Sequence, residues 1–155
     1  MEKQKHNHTP YNKSLFFAIE QIAKYIQEDY IEKYSNTVTH DEFRTMDIIK
    51  YNPDICQRDL AKLALRDSVK IGRILDKLEK KNFVERFNDT KGKRLVKKMK
   101  LTDLGMKAYT EILQKIEPST QNLLNRTFST QQLEDLTQSL NKLHKVLSEV
   151  VTIQA

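Results

Sequence analysis

The sequence is poor in the residues that turn or break a polypeptide chain. It has 155 residues but only three glycines and three prolines. A β-sandwich or barrel needs a turn about every 8–12 residues, and turns draw heavily on these two residue types. The shortage argues against an all-β fold and favours long helices.

Cysteine and long apolar runs are also scarce. The single cysteine, Cys56, has no internal partner for a disulfide, which favours a reducing compartment. No apolar run approaches the roughly 20 residues that a membrane-spanning helix needs. The charged N-terminus is not followed by the apolar core of a secretory signal. We therefore expect a cytoplasmic protein without a membrane partner. The polar residues 1–10 are expected to form a frayed arm.

Positive charge is concentrated in one segment of the chain. The formal net charge is +6, but residues 57–100 contain 15 Lys and Arg against 6 Asp and Glu, a balance of +9. The remaining residues contain 12 and 15, a balance of −3. A concentrated basic block indicates a polyanionic partner such as nucleic acid, and a solvated basic face is the alternative.

Apolar residues spaced by three and four predict amphipathic helices at both ends of the chain. The first covers about 11–34, with Phe16, Ile19, Ile22 and Ile26 on one face. The last follows a capping box at 129–132 and has the spacing of a coiled-coil seam. The residues of this seam are Leu133, Leu136, Leu140, Leu143, Leu147 and Val150.

The central segment predicts three short helices and a hairpin. A capping box at 39–42 opens the first helix, and the second covers 57–65. The third covers 68–81, buries an apolar stripe and ends at Asn82, a residue that tolerates the left-handed conformation. Strands at 83–87 and 94–101 then flank a turn at 88–93. The helix that follows, from 102, is expected to kink or break at Pro118.

Helix, turn, helix and basic hairpin form the layout of a winged helix-turn-helix. A helix fits the major groove of DNA, and a thin hairpin can reach the adjacent minor groove, whose negative potential attracts an inserted arginine. The alternative is a helical core with an incidental basic hairpin. The predicted fold class is therefore mainly α with a small β-hairpin wing.

Four segments in this order resemble the MarR family of bacterial transcription regulators. They are 57–61 in the first motif helix, 67–79 as recognition helix, 83–86 at the start of the wing and 101–105 at its close. The resemblance implies a single domain over 1–155, with a DNA-binding lobe at about 40–101 and a linking helix at 102–117. It also implies dimerisation helices at about 11–34 and 119–152.

The resemblance implies roles for residues of the basic segment. The family's wing carries Asp-x-Arg, but this chain has Gly92-Lys93-Arg94, so that either Lys93 or Arg94 takes the tip position. Asn82 stands where the family has a glycine. The expected DNA contacts are Ser68, Lys70, Arg73 and Lys77 from the recognition helix, Lys91, Lys93 and Arg94 from the wing, and Arg58 and Arg66 toward the DNA backbone.

The resemblance further implies a homodimer, which the apolar end helices independently favour. Packing of the leucine seam within one monomer is the alternative. The interface is expected to include Ile19, Ile22, Leu136, Leu140, Leu143 and Leu147.

Three tyrosines are candidates for an effector pocket, although core packing explains them equally well: Tyr25, Tyr51 and Tyr109. Cys56 lies just before the first motif helix, where an ordinary half-buried cysteine is favoured over an oxidant sensor. Catalytic motifs, metal-ligand spacing and cofactor loops are lacking, so we expect no enzyme, metal or cofactor.

The predicted function is a transcription regulator that binds DNA. We expect a repressor that occupies a palindromic operator as a homodimer and is released by a small-molecule or redox signal. The alternative is a winged-helix interaction module that applies its basic face to an acidic protein.

Overall fold

A computed structural model describes residues 13–27, 33–91 and 94–153 of the chain. These residues form six α-helices and one antiparallel hairpin, which confirms the predicted fold class. The chain divides into two compact units, residues 1–113 and 114–155. The elements in chain order are α1 (Leu15–Tyr25), α2 (His40–Tyr51), α3 (Gln57–Ala64), α4 (Ser68–Lys80), β1 (Val84–Lys91), β2 (Arg94–Leu101), α5 (Asp103–Thr127) and α6 (Thr130–Ile153).

The helix starts follow the predicted local chemistry. At α2, the Glu42 amide donates to Thr39 Oγ1 at 3.3 Å and the Thr39 amide donates to Glu42 Oε2 at 2.8 Å, a complete capping box. Asp67 caps α4 by accepting from the Lys70 amide at 2.7 Å. Asn82 adopts the expected left-handed conformation, with φ 57°, just after α4. The predicted arm at 1–10 lies outside the described residues.

The core of the first unit lies where α2, α3 and α4 meet the hairpin and the start of α5. Met46, Leu60, Leu75 and Met99 are fully buried there. Gly105, near the start of α5, packs directly against the backbone of Phe83. A Cβ at this position would lie 1.9 Å from the Phe83 carbonyl oxygen. A side chain at this position would therefore push α5 away from the end of α4.

The first strand of the hairpin is longer than predicted: residues 88–91, expected in the turn at 88–93, belong to β1, and residues 92–93 lie outside the described residues. Pairing runs from Val84 opposite Leu101 to Lys91 opposite Arg94, which places 88–91 in β1. Cross-strand attraction contributes to this extension, since Lys98 Nζ lies 2.5 Å from Asp89 Oδ2. The strand propensity of isolated residues does not reveal such pairs.

Of the kink or break expected at Pro118, the break is wrong. Helix α5 continues through this residue to Thr127. Proline has a helical φ and removes only one backbone donor, so the turns on either side can maintain the helix. The capping box predicted at 129–132 is confirmed: the Ser129 amide donates to Gln132 Oε1 at 2.8 Å, and the Gln132 amide donates to Ser129 Oγ at 3.3 Å.

Within the described residues, no helix has both the length and the apolarity required to cross a membrane.

Candidate nucleic-acid interface

Helix α4 presents one apolar face and one polar face. Its apolar stripe, which includes Ile71, Leu75 and Leu78, is buried in the core of the first unit. The four residues predicted to face DNA all lie on the exposed side of the helix: Ser68, Lys70, Arg73 and Lys77. The helical period of 3.6 residues produces this separation from the sequence alone.

A tight turn sets the position of α4 against α3. Leu65 ends α3 in the left-handed conformation, with φ 52°, and the Arg66 amide donates to the Ala61 carbonyl at 3.0 Å. Gln57 Nε2 then donates to the Ser68 carbonyl at 3.2 Å, which ties the start of α3 to the start of α4. The exposed face of α4 is therefore held on a rigid helix pair.

Asp41 on α2 contacts two of the predicted DNA-binding cations. Its Oδ2 lies 2.9 Å from Lys70 Nζ, and its Oδ1 accepts a hydrogen bond from Arg66 Nη2 at 3.1 Å. Burial alone would raise the pKa of Asp41, but the hydrogen bonds from Lys70 and Arg66 outweigh it and hold that pKa below its ordinary value. We call this three-residue cluster the Asp41 tether.

Sequence reasoning missed the Asp41 tether. Asp41 was interpreted only as part of a helix start, and the two cations are 25 and 29 positions away in the chain. Such a contact has no local signature, since it depends on how α2 packs beside the α3–α4 turn.

Val69 is a second residue that sequence reasoning missed. Val69 is the second residue of α4 and is 65% exposed. It lines a groove of about 380 Å³ together with Lys70, Arg73 and Lys77. A signal was present in the sequence, because Val69 is an apolar residue about 200° around the helix from the buried Ile71.

The two arginines assigned to the DNA backbone differ in their surroundings. The Arg58 side chain is 71% exposed, with Nε 3.9 Å from Asp59 Oδ1, a distance at which attraction in water is weak. Arg66 is more buried and already donates to Asp41 and to the Leu65 carbonyl. Arg58 is therefore the more accessible of the two.

The structure describes the base of the wing but not the side chains predicted to contact DNA at its tip. Lys93 lies outside the described residues, as do the side chains of Lys91 and Arg94. Arg86 at the base of the wing is half-buried and binds two acids of α4, Asp76 at 2.5 Å and Glu79. Its hydrogen bonds to Glu79 and Asp76 raise the pKa of Arg86 above its ordinary value despite partial burial. Arg86 thus connects β1 to α4.

The three candidate effector tyrosines have different environments. Tyr109 is buried, its ring stacks on Phe43 at a centroid distance of 5.2 Å, and its hydroxyl donates to Asp47 Oδ1 at 2.6 Å. Burial, followed by the contact with Asp47, raises the pKa of Tyr109 well above its ordinary value. Lys50 Nζ lies over both the Tyr109 and Tyr51 rings, at 4.5 and 5.1 Å. Tyr25 is exposed on α1.

Cys56 is half-buried at the N-cap position of α3. Its thiol donates to Asp59 Oδ2 at 3.0 Å, and its backbone forms a bridge with Lys98 of β2. Cys56 is therefore half-buried, as expected, and held to the start of α3 by Asp59.

The residues predicted at the dimer interface leave apolar surface on each unit. Ile22 is exposed on α1, Leu136, Leu140 and Leu147 are exposed on α6, and Ile19 and Leu143 are half-buried. Such surface is unfavourable in water, so its extent on α6 favours a covering partner.

Comparisons with known proteins agree with this geometry. Residues 38–96 match the model of the MarR family. The uncharacterized HTH-type transcriptional regulator YybA of Bacillus subtilis (strain 168) is 26% identical over 125 residues, which cover 74% of this chain and 82% of YybA.

Solved structures are similar over most of the chain. The transcriptional regulator SlyA has a TM-score of 0.76 and 25% identity, covering 88% of this chain and 95% of that one. MepR of S. aureus, solved in complex with DNA, has a TM-score of 0.73 and 20% identity, covering 90% of this chain and 99% of that one. At 20% identity, the likeness to MepR shows a shared fold only.

Proposed function

We propose that this chain is a transcriptional repressor of the MarR type, because residues 38–96 match the MarR family model and the fold is similar to that of the regulator SlyA. It acts in the cytoplasm as a homodimer on a palindromic operator. Occupation of an operator that overlaps a promoter blocks RNA polymerase. A small-molecule or redox signal releases the DNA by changing the separation of the two recognition helices.

One observation carries the proposal of DNA binding. The exposed cations of α4 lie inside the only strongly basic segment of the sequence, on a helix whose opposite face is buried. An α-helix of this kind fits the major groove, where each base pair has a distinct pattern of donors and acceptors. The MepR structure with DNA supports the same use of the fold.

The exposed apolar residues of α1 and α6 support the homodimer. Two copies related by a two-fold axis would present two copies of α4 to successive half-sites of a palindrome. Because one half-site offers few contacts, specific affinity depends on both copies being present.

Lys50, Tyr51 and Tyr109 support a place for an effector, which we assign beside Tyr51. The Tyr51 ring is exposed, whereas the Tyr109 ring is buried in the core. Lys50 Nζ lies over both rings. The exposed Tyr51 ring with Lys50 Nζ over it suits a small phenolic or lipophilic molecule.

The decisive experiment is selection of bound DNA from a random pool, followed by salt titrations on the selected operator and on random duplex. We expect one enriched palindrome and a linear fall of log affinity with log salt, with a slope of several units. A slope near zero with no enriched sequence would exclude the DNA function and favour the alternative of an acidic protein partner.

Two variants separate base reading from backbone binding. Arg73→Ala should weaken operator binding more than random-duplex binding, because a guanidinium can bind guanine O6 and N7, worth about 1–3 kcal/mol of discrimination. Arg58→Ala should weaken both duplexes alike and make the salt slope shallower by about one unit. Arg126→Ala, at the end of α5, is the matched control and should change neither.

A further inference from the structure

Val69 is an exposed apolar residue that lies outside the buried stripe of α4. The buried stripe of α4 consists of Ile71, Ile74, Leu75 and Leu78, and Val69 lies outside it with 65% of its side chain exposed. Valine is also a weak helix former, because its branched Cβ restricts the side chain against the preceding turn. Neither packing nor helix propensity therefore accounts for valine here.

The neighbours of Val69 are the residues that face the major groove in the proposed function. Arg73 follows it by four positions, so the two side chains stand on the same face of α4. Both line a groove between the starts of α2 and α4, whose other lining residues are Thr39, Asp41, Glu42, Asp67, Lys70, Ile74 and Lys77. The position near the start of the helix matters because a recognition helix places its N-terminal residues against the base edges.

The major groove contains one apolar group, the C5 methyl of thymine. Hydrogen-bonding side chains such as Arg73 cannot recognise this methyl group, whereas an exposed valine can remove it from water by direct contact. The combination of an apolar and a guanidinium side chain on one face would then read a thymine close to a guanine.

We infer that Val69 is a specificity-determining residue that contacts a thymine methyl group in each half-site. Because the contact requires an operator, this inference rests on the function proposed above. It adds a base preference that depends on a methyl group and not on hydrogen bonding.

The test combines a protein substitution with deletion of single methyl groups from the DNA. Each thymine pair of the selected operator is replaced symmetrically by deoxyuridine, which keeps the base pairing and lacks only the C5 methyl. Affinities of the wild type and of Val69→Ala are measured for every duplex by fluorescence anisotropy at one fixed salt concentration.

With the wild type, we expect one symmetric position at which loss of the methyl weakens binding by about fourfold per half-site. This factor corresponds to about 0.8 kcal/mol for one buried methylene-sized group, and it reaches roughly fifteenfold for both half-sites together. In Val69→Ala, the same replacement should change affinity by less than about twofold. Val69→Thr keeps one methyl group and should retain part of the dependence.

Val146→Ala is the matched control, since it makes the same chemical change on α6 at a valine that is 56% exposed. Its dependence on the thymine methyl should equal that of the wild type, even if its overall affinity differs.

The outcomes separate the two proposals. Failure of the pool selection to enrich any sequence would contradict the repressor function itself. An enriched operator without a methyl-dependent position, or with one whose dependence persists in Val69→Ala, would leave the repressor function standing and overturn the role of Val69.

Discussion

Replacing Asp41 by asparagine removes the charge of the Asp41 tether and keeps its shape. In the folded protein this carboxylate lies 2.9 Å from Lys70 Nζ and 3.1 Å from Arg66 Nη2. The Lys70 side chain is 46% exposed, so water screens this pair, and its worth falls in the range of about 0.2–1 kcal/mol. The Arg66 side chain is less exposed, and its pair lies toward the upper end of that range. We expect Asp41→Asn to lower the free energy of unfolding by about 1 kcal/mol.

Although Asp41→Asn should lower stability, we expect it to raise the affinity for random duplex. With Asp41 neutral, Lys70 and Arg66 can each neutralise a phosphate, and each added phosphate contact steepens the salt slope by about 0.9 unit. Random-duplex affinity should therefore rise, with a slope steeper by one to two units. Operator affinity should rise less, because Lys70 is no longer held in one orientation, and the specificity ratio should fall.

The assay is a salt titration of Asp41→Asn on operator and random duplex, with thermal unfolding measured in parallel. Asp135→Asn, on α6, is the matched control, since it makes the same change in net charge and should alter neither slope nor ratio. A folded Asp41→Asn protein with the salt slope and specificity ratio of the wild type would refute the reasoning that Asp41 restrains these cations.

Three further outcomes are expected. Replacing Leu140 and Leu143 together by glutamate should dissociate the dimer in sedimentation and abolish specific DNA binding, whereas an intact dimer would place the interface elsewhere. Gly105→Ala should lower the free energy of unfolding by about 1–3 kcal/mol, since its Cβ would lie 1.9 Å from the Phe83 carbonyl oxygen; unchanged thermal unfolding would contradict the close packing described. Because the pKa of Asp41 is lowered by folding, its stabilising contribution is present at neutral pH and lost as pH falls through that lowered pKa, so Asp41→Asn should flatten the acid limb of stability against pH.

Features that depend on residues three or four positions apart could be predicted from the sequence. The capping boxes at Thr39 and Ser129, the buried stripe of α4 and the left-handed Asn82 were all predicted and are confirmed. Each is determined by a local hydrogen bond, a helical period or a backbone preference, and none requires knowledge of distant neighbours. The basic segment likewise needed only a count of charges.

The sequence misled where local preference competed with longer-range pairing. Pro118 predicts a kink or break on its own, but α5 continues without a break to Thr127. Residues 88–91, predicted as turn, are instead strand, because β2 supplies partners such as Lys98 for Asp89. In both cases the outcome depends on surrounding structure that a window of a few residues does not contain.

The sequence by itself thus determined the order of helices and hairpin, the exposed basic face of α4 and the family resemblance. Tertiary structure alone decided that Asp41 restrains Lys70 and Arg66, that Arg86 joins the wing to α4, and that Val69 stands uncovered beside Arg73. The physical reason is that attraction between charges and burial of apolar surface depend on distances in space. Residues 25 or 29 positions apart acquire such distances only when α2, α3 and α4 pack together.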